Sequence, residues 1–205
     1  MTTKERITEE ALTLFSIKGF KGTSVKNIAD AVGIKDASLY KHFKSKQEIL
    51  DTIVADMKKR VDVLAEGTGF PAGEPDASAV SAYAMLKTKD LMAFARKAFL
   101  FYLRDPFMQR FWRMGNIEQY QNPAVYQVFY HFFYEESVRY MTQLFSGLQK
   151  MECLKETDPA VMAMGFYAPI FFLLGKYSNR EGEEAEAVEL LERQMLEFFR
   201  VYGRK

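Results

Sequence analysis

The polar side chains that could act together chemically are concentrated near the N-terminus. Between residues 18 and 46 the sequence has seven lysines but only two acids, Asp30 and Asp36. Tyr40 and His42 lie in the same stretch. Ammonium, phenol and imidazole groups at this density suit hydrogen bonding and charge pairing with an anionic partner. On charge alone, a solvated basic face is the alternative.

The first quarter of the chain differs from the rest in charge and composition. Residues 1–50 carry a net charge of +3 and residues 51–205 a net charge of −2, although the whole chain has only +1. Only four of the 30 aromatic residues fall in the first 50. Hydrophobic residues make up 48% of the chain, which excludes wholesale disorder. The sequence therefore indicates two regions with different tasks.

Catalytic and metal-binding patterns are absent from the sequence. It contains no Gly-x-Ser-x-Gly motif and no glycine-rich phosphate loop. Cys153, His42 and His131 are the only cysteine and histidines, so a zinc site with three or four Cys or His ligands is excluded. We therefore expect no enzyme, no cofactor and no metal.

Helix signals frame the basic stretch. The capping pattern predicts one helix after Thr2 or Thr3 and a second after Ser24, which ends at Gly33. A third short helix is expected from Asp36 to Phe43. Two short helices joined by a tight glycine turn are the layout of a helix-turn-helix, whose second helix lies in the DNA major groove. A plain three-helix bundle with a lysine-rich surface is the alternative.

Two segments make this interpretation specific. The run GTSVKNIADAVGI at Gly22–Ile34 and the run LYKHFKSK at Leu39–Lys46 resemble the DNA-binding domain of the TetR family of bacterial transcriptional regulators. The resemblance covers about residues 5–50. It implies an N-terminal helix-turn-helix DNA-binding domain at residues 1–48, followed by a helical ligand-binding and dimerisation domain at residues 49–205.

The resemblance also implies which residues contact DNA. Carried over position by position, they are Thr23, Ser24, Lys35, Asp36, Ala37, Ser38, Tyr40, Lys41, His42 and Lys46. Residues 35–38 would face base edges, Thr23 and Ser24 would meet the DNA backbone, and phosphate contacts would fall to Tyr40, His42 and Lys46. Many relatives have Ser or Thr where this chain has Lys35, so the usual capping hydroxyl is missing, and Asp36 is the alternative cap.

The rest of the chain is also predicted to be helical, which makes the fold class all-α. After a Gly/Pro-rich break that follows residue 66, the patterns predict helices near 77–103, 106–115, 123–150, 158–177 and 183–202. Pro106, Pro123 and Pro159 stand where a first-turn proline belongs. The uncharged stretch from Pro159 to Gly175 is short for a membrane span and contains proline and glycine, so we expect a buried helix.

The last two helices have more apolar surface than one small bundle can bury, which favours a homodimer through a four-helix interface. Intrachain core is the alternative. The predicted interface consists of Phe166, Ile170, Leu173, Val188, Leu191, Met195, Phe198 and Tyr202.

The many aromatic residues of the middle helices suit an apolar cavity with a few polar groups, although most of them must be core. The candidate lining residues are Phe101, Tyr102, Trp112, Tyr126, Tyr130, Phe133, Met162, Phe166 and Tyr167. Pro169 should kink its helix and open space beside Tyr167 and Met162.

These predictions combine into a transcriptional regulator. We expect a homodimeric repressor that an apolar small molecule releases from a pseudo-palindromic DNA operator. The polar N-terminus has no secretory signal, so we expect a cytoplasmic protein with no membrane partner. A non-enzymatic carrier of apolar ligands and a transcriptional activator of the same fold are the alternatives.

Overall fold

The computed structural model describes residues 1–66 and 74–204, and these residues confirm the all-α class. They form eleven α-helices and no β-strand. The helices are α1 (Thr3–Lys18), α2 (Val25–Val32), α3 (Asp36–Leu39), α4 (Lys46–Glu66), α5 (Ala77–Met85), α6 (Thr88–Arg104), α7 (Pro106–Gln121), α8 (Pro123–Tyr130), α9 (Ser137–Lys150), α10 (Pro159–Tyr177) and α11 (Glu184–Tyr202). A π-helical turn, His131–Glu136, joins α8 to α9. Most of the predicted Gly/Pro-rich break lies outside the described residues.

The chain divides into two compact units that are not contiguous in sequence. Unit 1 consists of residues 1–61 and 106–131, and unit 2 consists of residues 62–105 and 132–205. The predicted domain boundary after residue 48 concerns function and stays a prediction. The compact units follow packing instead, because α7 packs against α1 within unit 1.

The core of unit 1 forms from the predicted apolar faces of its helices. Ile7, Phe15, Ile28 and Leu39 are all fully buried, and they come from α1, α2 and α3. α7 adds Phe111 to this core. The first helix begins as predicted, because the Thr2 hydroxyl accepts the Glu5 N–H while the Glu5 carboxylate accepts the Thr2 N–H. Local signals thus place the helices, and packing on α7 completes the unit.

Three of the predicted helix boundaries are wrong. The expected helix at 77–103 is two helices, because Leu86 and Lys87 have extended backbone angles. The expected helix at 106–115 continues to Gln121, and the expected helix at 123–150 contains the π-helical turn. Gly115, the last residue of the expected helix, lies inside α7, and the ring of Phe129 packs directly on its backbone.

Replacing Gly115 with alanine should destabilise the protein by about 1–3 kcal/mol, the usual effect of overpacking a core. A Cβ atom at this position would lie 1.9 Å from Cδ2 of Phe129, so the ring or the helix must move. The urea unfolding midpoint measures the change. Gln119→Ala, at an exposed position of the same helix, is the control and should stay within about 0.5 kcal/mol of wild type. An unchanged midpoint for Gly115→Ala would contradict the close contact between α7 and α8.

Unit 2 buries the helix faces that we predicted to form the dimer interface. In the expected set, Phe166, Leu173, Val188, Leu191, Met195 and Phe198 are buried within the chain, and Ile170 and Tyr202 are half-buried. The ring of Phe166 lies 4.8 Å from that of Phe198 and 5.4 Å from that of Phe145, between centroids. This corrects the prediction, because the α11 residues at spacings of three and four, Val188, Leu191, Met195 and Phe198, are buried in the chain's own core.

The apolar side chains that stay uncovered lie on other faces of the same two helices. On α10 the exposed fractions are 61% for Val161, 55% for Met164 and 66% for Phe172, and on α11 Leu196 is 50% exposed. Within the described part of the chain, α10 is the one helix that is long and apolar enough to cross a membrane by length and composition. Its Phe166 side nevertheless packs against α9 and α11, as in a core helix.

Candidate nucleic-acid interface

The helix-turn-helix is built by local bonds at both ends of α2. The Ser24 hydroxyl accepts the Asn27 N–H at 3.1 Å, and the Asn27 side chain accepts the Ser24 N–H at 2.9 Å, which closes a capping box. At the other end Gly33 has a φ of 77°, a left-handed conformation that glycine adopts without strain. The Ile34 N–H then donates to the Ala29 carbonyl at 3.0 Å. This tight turn sets the start of α3.

The third helix is shorter than predicted. It spans Asp36–Leu39, and the chain then continues through helix-like turns in which the His42 N–H donates to the Leu39 carbonyl at 2.9 Å. Lys35 occupies the N-cap position, and no side chain caps the helix. The alternative cap, Asp36, is therefore wrong, because it is already the first helical residue. Without a capping bond, the side chains at this helix start have no intrahelical role.

Most of the residues predicted to contact DNA are exposed on this scaffold. Ser24, Lys35, Asp36, Ala37, Tyr40, Lys41 and His42 are exposed, and Ser38 is half-buried. Leu39 and Phe43 are buried and fix this segment to the core of unit 1. Lys44 and Ser45, which the sequence analysis left out, are also exposed next to this surface. We call the exposed residues of 35–45 the basic surface.

Thr23 does not belong to that surface. Its side chain is fully buried, and its hydroxyl donates to the Gly19 carbonyl at 2.9 Å. The expected contact between this side chain and the DNA backbone is therefore wrong. The hydroxyl instead closes the turn between α1 and α2.

Lys46 directs its ammonium into unit 1. Nζ donates to the Phe20 carbonyl at 2.5 Å and to the Thr23 carbonyl at 2.7 Å, and it lies 4.3 Å from the centroid of the Phe20 ring. Burial lowers the pKa of Lys46, and the negative charge of Glu118 opposes that shift. These bonds differ from the phosphate contact that the resemblance implies, because two of the three ammonium donors are used inside the protein.

Two polar clusters that the sequence analysis missed attach α7 to the helix-turn-helix within unit 1. Near the start of α7, Arg110 donates to the Glu9 carboxylate at 2.5 Å and to the Thr13 hydroxyl at 2.7 Å. Near its end, a buried carboxylate of Glu118 accepts the Phe20 N–H at 2.6 Å. Neither cluster has a local sequence signal, because the partners are about a hundred residues apart.

A second group of interest is the aromatic cluster of unit 2. Phe171 of α10 lies between Tyr134, at 4.7 Å, and Tyr167, at 6.2 Å, and the Phe133 ring is 6.5 Å away, all between ring centroids. Tyr102 contacts Phe133 at 6.0 Å. We call these five residues the tyrosine cluster. It gathers three of the nine residues predicted to line a pocket.

Burial keeps the phenols of Tyr102 and Tyr167 protonated. It raises the pKa of Tyr167 to about 12, although a hydrogen bond with Ser137 lowers it in part, and it also raises the pKa of Tyr102. Protonated phenols both donate and accept hydrogen bonds. The cluster therefore offers an apolar wall with neutral polar groups.

Of the other predicted pocket residues, Phe101 adjoins this cluster and the rest lie outside it. Trp112 and Tyr126 contact Phe129 in unit 1, at 5.3 and 5.8 Å between centroids, and Tyr126 also contacts Tyr130. In unit 2, Phe101 contacts Tyr102, Phe166 packs in the core with Phe198, and Met162 is buried. Among the described residues, no group of three or more His, Cys, Asp or Glu side chains is placed to hold a metal ion.

Comparison with known proteins agrees with this arrangement. The family described as bacterial regulatory proteins, tetR family, matches residues 7–53, which run from α1 into α4. The helix-turn-helix segment is therefore that of a TetR-family protein. A relative over this segment is IcaR of Staphylococcus aureus (strain Newman), the negative transcriptional regulator of the biofilm operon icaADBC, which is 51% identical over 51 residues. That match covers 25% of this chain and 27% of IcaR, so the chain aligns with about a quarter of this relative's length.

Solved structures extend the likeness to the whole TetR-family fold. A TetR-family transcriptional regulator from Mesorhizobium loti has a TM-score of 0.68 at 20% identity, with 98% of this chain and 97% of that chain covered. SmeT in complex with triclosan has a TM-score of 0.71 at 18% identity, with 100% and 93% covered. SmeT is the repressor of the Stenotrophomonas maltophilia multidrug efflux pump SmeDEF. At these identities the likeness shows the fold alone.

Proposed function

We propose that the chain is a transcriptional repressor that binds an operator in double-stranded DNA as a homodimer and is released by an apolar small molecule. The observation that carries the proposal is the basic surface: exposed lysines, His42 and Tyr40 on a helix-turn-helix whose second helix begins with uncapped, exposed residues. Matching helix-turn-helix segments in a negative regulator, IcaR, support repression. A repressor of this kind acts in the cytoplasm.

The basic surface divides into two kinds of contact. Lys35 to Ser38 stand at the start of α3, the part of a recognition helix that faces base edges. Tyr40, Lys41 and His42 follow in the turn after α3 and would reach phosphates. Ser24 is exposed at the start of α2 and would add a contact to the DNA backbone there.

A second copy of the chain is the partner that fits the uncovered faces of α10 and α11. Val161, Met164 and Phe172 form an exposed apolar face on α10. On α11, exposed Leu196 is followed by Glu197 and Arg200, which lie 2.8 Å apart as an ion pair. A face that carries apolar groups and both signs of charge can be self-complementary across a two-fold axis. A two-fold dimer would present two recognition helices to a pseudo-palindromic operator.

The tyrosine cluster is the proposed effector site. Its aromatic rings suit an apolar or planar ligand, and its protonated phenols can fix the orientation of one polar group. The triclosan complex of SmeT, which shares the fold, supports a small-molecule site in such a protein. The phenols of Tyr102 and Tyr167 would supply the polar contacts.

Mapping the DNA fragments that the purified protein retains from a bacterial genome tests the proposal, because a repressor enriches a few related sequences. A carrier of apolar ligands would enrich none.

The Lys41→Ala variant should weaken binding to all retained sequences alike and lower the slope of log K against log salt by about one unit, since one fewer counterion is released. Titration of a labelled operator at several salt concentrations measures the slope. Lys89→Ala removes an exposed lysine from unit 2 and is the control, with no change expected. An unaltered slope for Lys41→Ala would remove this lysine from the phosphate contacts.

A further inference from the structure

The turn between α1 and α2 is held by two oppositely charged side chains from helices that come later in the sequence. The Phe20 N–H donates to Oε1 of Glu118 on α7 at 2.6 Å. The carbonyl of the same residue accepts a hydrogen bond from the Lys46 ammonium on α4. A single peptide segment of the turn is therefore tied to a carboxylate on one side and to an ammonium on the other.

The burial of Glu118 makes this arrangement expensive for stability alone. Its side chain is fully buried, and Oε2 has no hydrogen-bond partner among the described residues. A buried carboxylate with one unpaired oxygen costs free energy that an apolar side chain of the same size would not. A role in positioning explains why a charge is useful here.

The turn is well placed to transmit a displacement. It leads directly into Ser24, which caps α2, and Lys46 also binds the Thr23 carbonyl just before that cap. Lys46 is itself the first residue of α4. A shift of Glu118 therefore acts on the start of α2 and on the start of α4 together.

We propose that Glu118 is a positioning residue for DNA binding, which acts through the Phe20 peptide and Lys46 and makes operator affinity depend on the position of α7. The inference rests on the proposed function, since it names the means by which DNA binding is regulated. Glu118 itself touches no DNA in this scheme. Its negative charge attracts the Lys46 ammonium and so links α7 to the first residue of α4.

A double-mutant cycle with Glu118→Gln and Lys46→Met tests the proposal on the full-length protein. Glutamine keeps an acceptor for the Phe20 N–H but removes the charge, and methionine keeps the length of the lysine stem. Each single variant should lower operator affinity by about tenfold, and the double variant should lose little more, because coupled residues are not additive. The salt slope should stay at the wild-type value in all three, since no phosphate contact is lost.

Other outcomes overturn the proposal. If the losses add, or if Lys46→Met lowers the salt slope by about one unit, Lys46 contacts phosphate and Glu118 does not act through it. Gln119→Ala is the matched control on α7, and thermal unfolding checks that each variant is folded. Unchanged operator affinity in folded Glu118→Gln would also refute the positioning role.

Hydrogen exchange separates this inference from the proposed function. If the wild type binds no DNA, the proposed function fails, but the attachment of the turn is still measurable. Glu118→Gln should speed amide exchange at Phe20 and the following residues of the turn, while the amides of α10 keep their rates. Wild-type exchange rates at Phe20 in this variant would show that Glu118 does not hold the turn.

Discussion

A protein in which Met164 and Phe172 are both replaced by glutamate should be monomeric in solution and should keep its helix content. Both side chains are more than half exposed in the single chain, so the carboxylates of a monomer would reach water. In the proposed dimer the same carboxylates would be buried near a two-fold axis, where desolvation and repulsion oppose association. Because binding of two half-sites is linked through the dimer, operator affinity should fall at least a hundredfold.

Sedimentation equilibrium and operator titration measure the two effects. Met85→Glu is the control, because Met85 is 86% exposed but belongs to α5, which is not one of the proposed interface helices. Glutamates at Leu191 and Phe198 should act differently and unfold unit 2, since both side chains are buried in its core. A Met164/Phe172 double variant with the mass of a dimer would place the interface elsewhere.

An effector bound at the tyrosine cluster should lower operator affinity by about five- to 150-fold, the range of typical allosteric coupling energies. Linkage then requires the operator to weaken effector binding by the same factor. Triclosan is a reasonable first probe, followed by other planar and long-chain apolar compounds. Trp112, the single tryptophan, lies in unit 1, so its fluorescence reports changes at α7 while labelled DNA reports release.

Two conservative variants locate the effector. Tyr102→Phe and Tyr167→Phe remove a phenol without changing the ring, and each should weaken binding of a hydrogen-bonding compound by about 0.5–1.5 kcal/mol. Operator affinity in the absence of compound should stay at the wild-type value. Tyr126→Phe, in unit 1, is the matched control. If compounds bind and operator affinity never moves, the tyrosine cluster is a binding site without control over DNA.

The helix-turn-helix could be predicted from the sequence because its signals are local. Ser24 caps α2 through Asn27, which is three residues further along the chain. Gly33 directly follows the last residue of the helix and ends it. Such bonds join residues only a few positions apart, so their pattern can be recognised in one sequence. Exposure of the basic surface also follows, because Leu39 and Phe43 mark the buried side.

Side-chain direction and distant partners could not be predicted in this way. Thr23 and Lys46 have residue types that suit DNA contact, but the turn at Gly19–Thr23 uses both internally. Glu118 pairs with a residue 98 positions away, and no periodic pattern carries that information.

The choice of interface face failed for a related reason. α10 is apolar on several sides, so the hydrophobic pattern shows that two faces need partners but not which one faces the chain's own core. Phe166 turned out to be core, while Phe172, on another side of the same helix, is exposed.

The discontinuity of unit 1 limits how this protein can be recombined with others. Residues 106–131 belong to the same compact unit as residues 1–61, although 44 residues of unit 2 separate them in sequence. A fragment that stops after α4 would expose the surface of α1 that α7 covers, and it would lose the acceptor for the Phe20 N–H. A chimeric regulator that takes its helix-turn-helix from this protein should therefore include α7 and α8 as well. A chimera joined at a single point after α4 should misfold or bind its operator weakly.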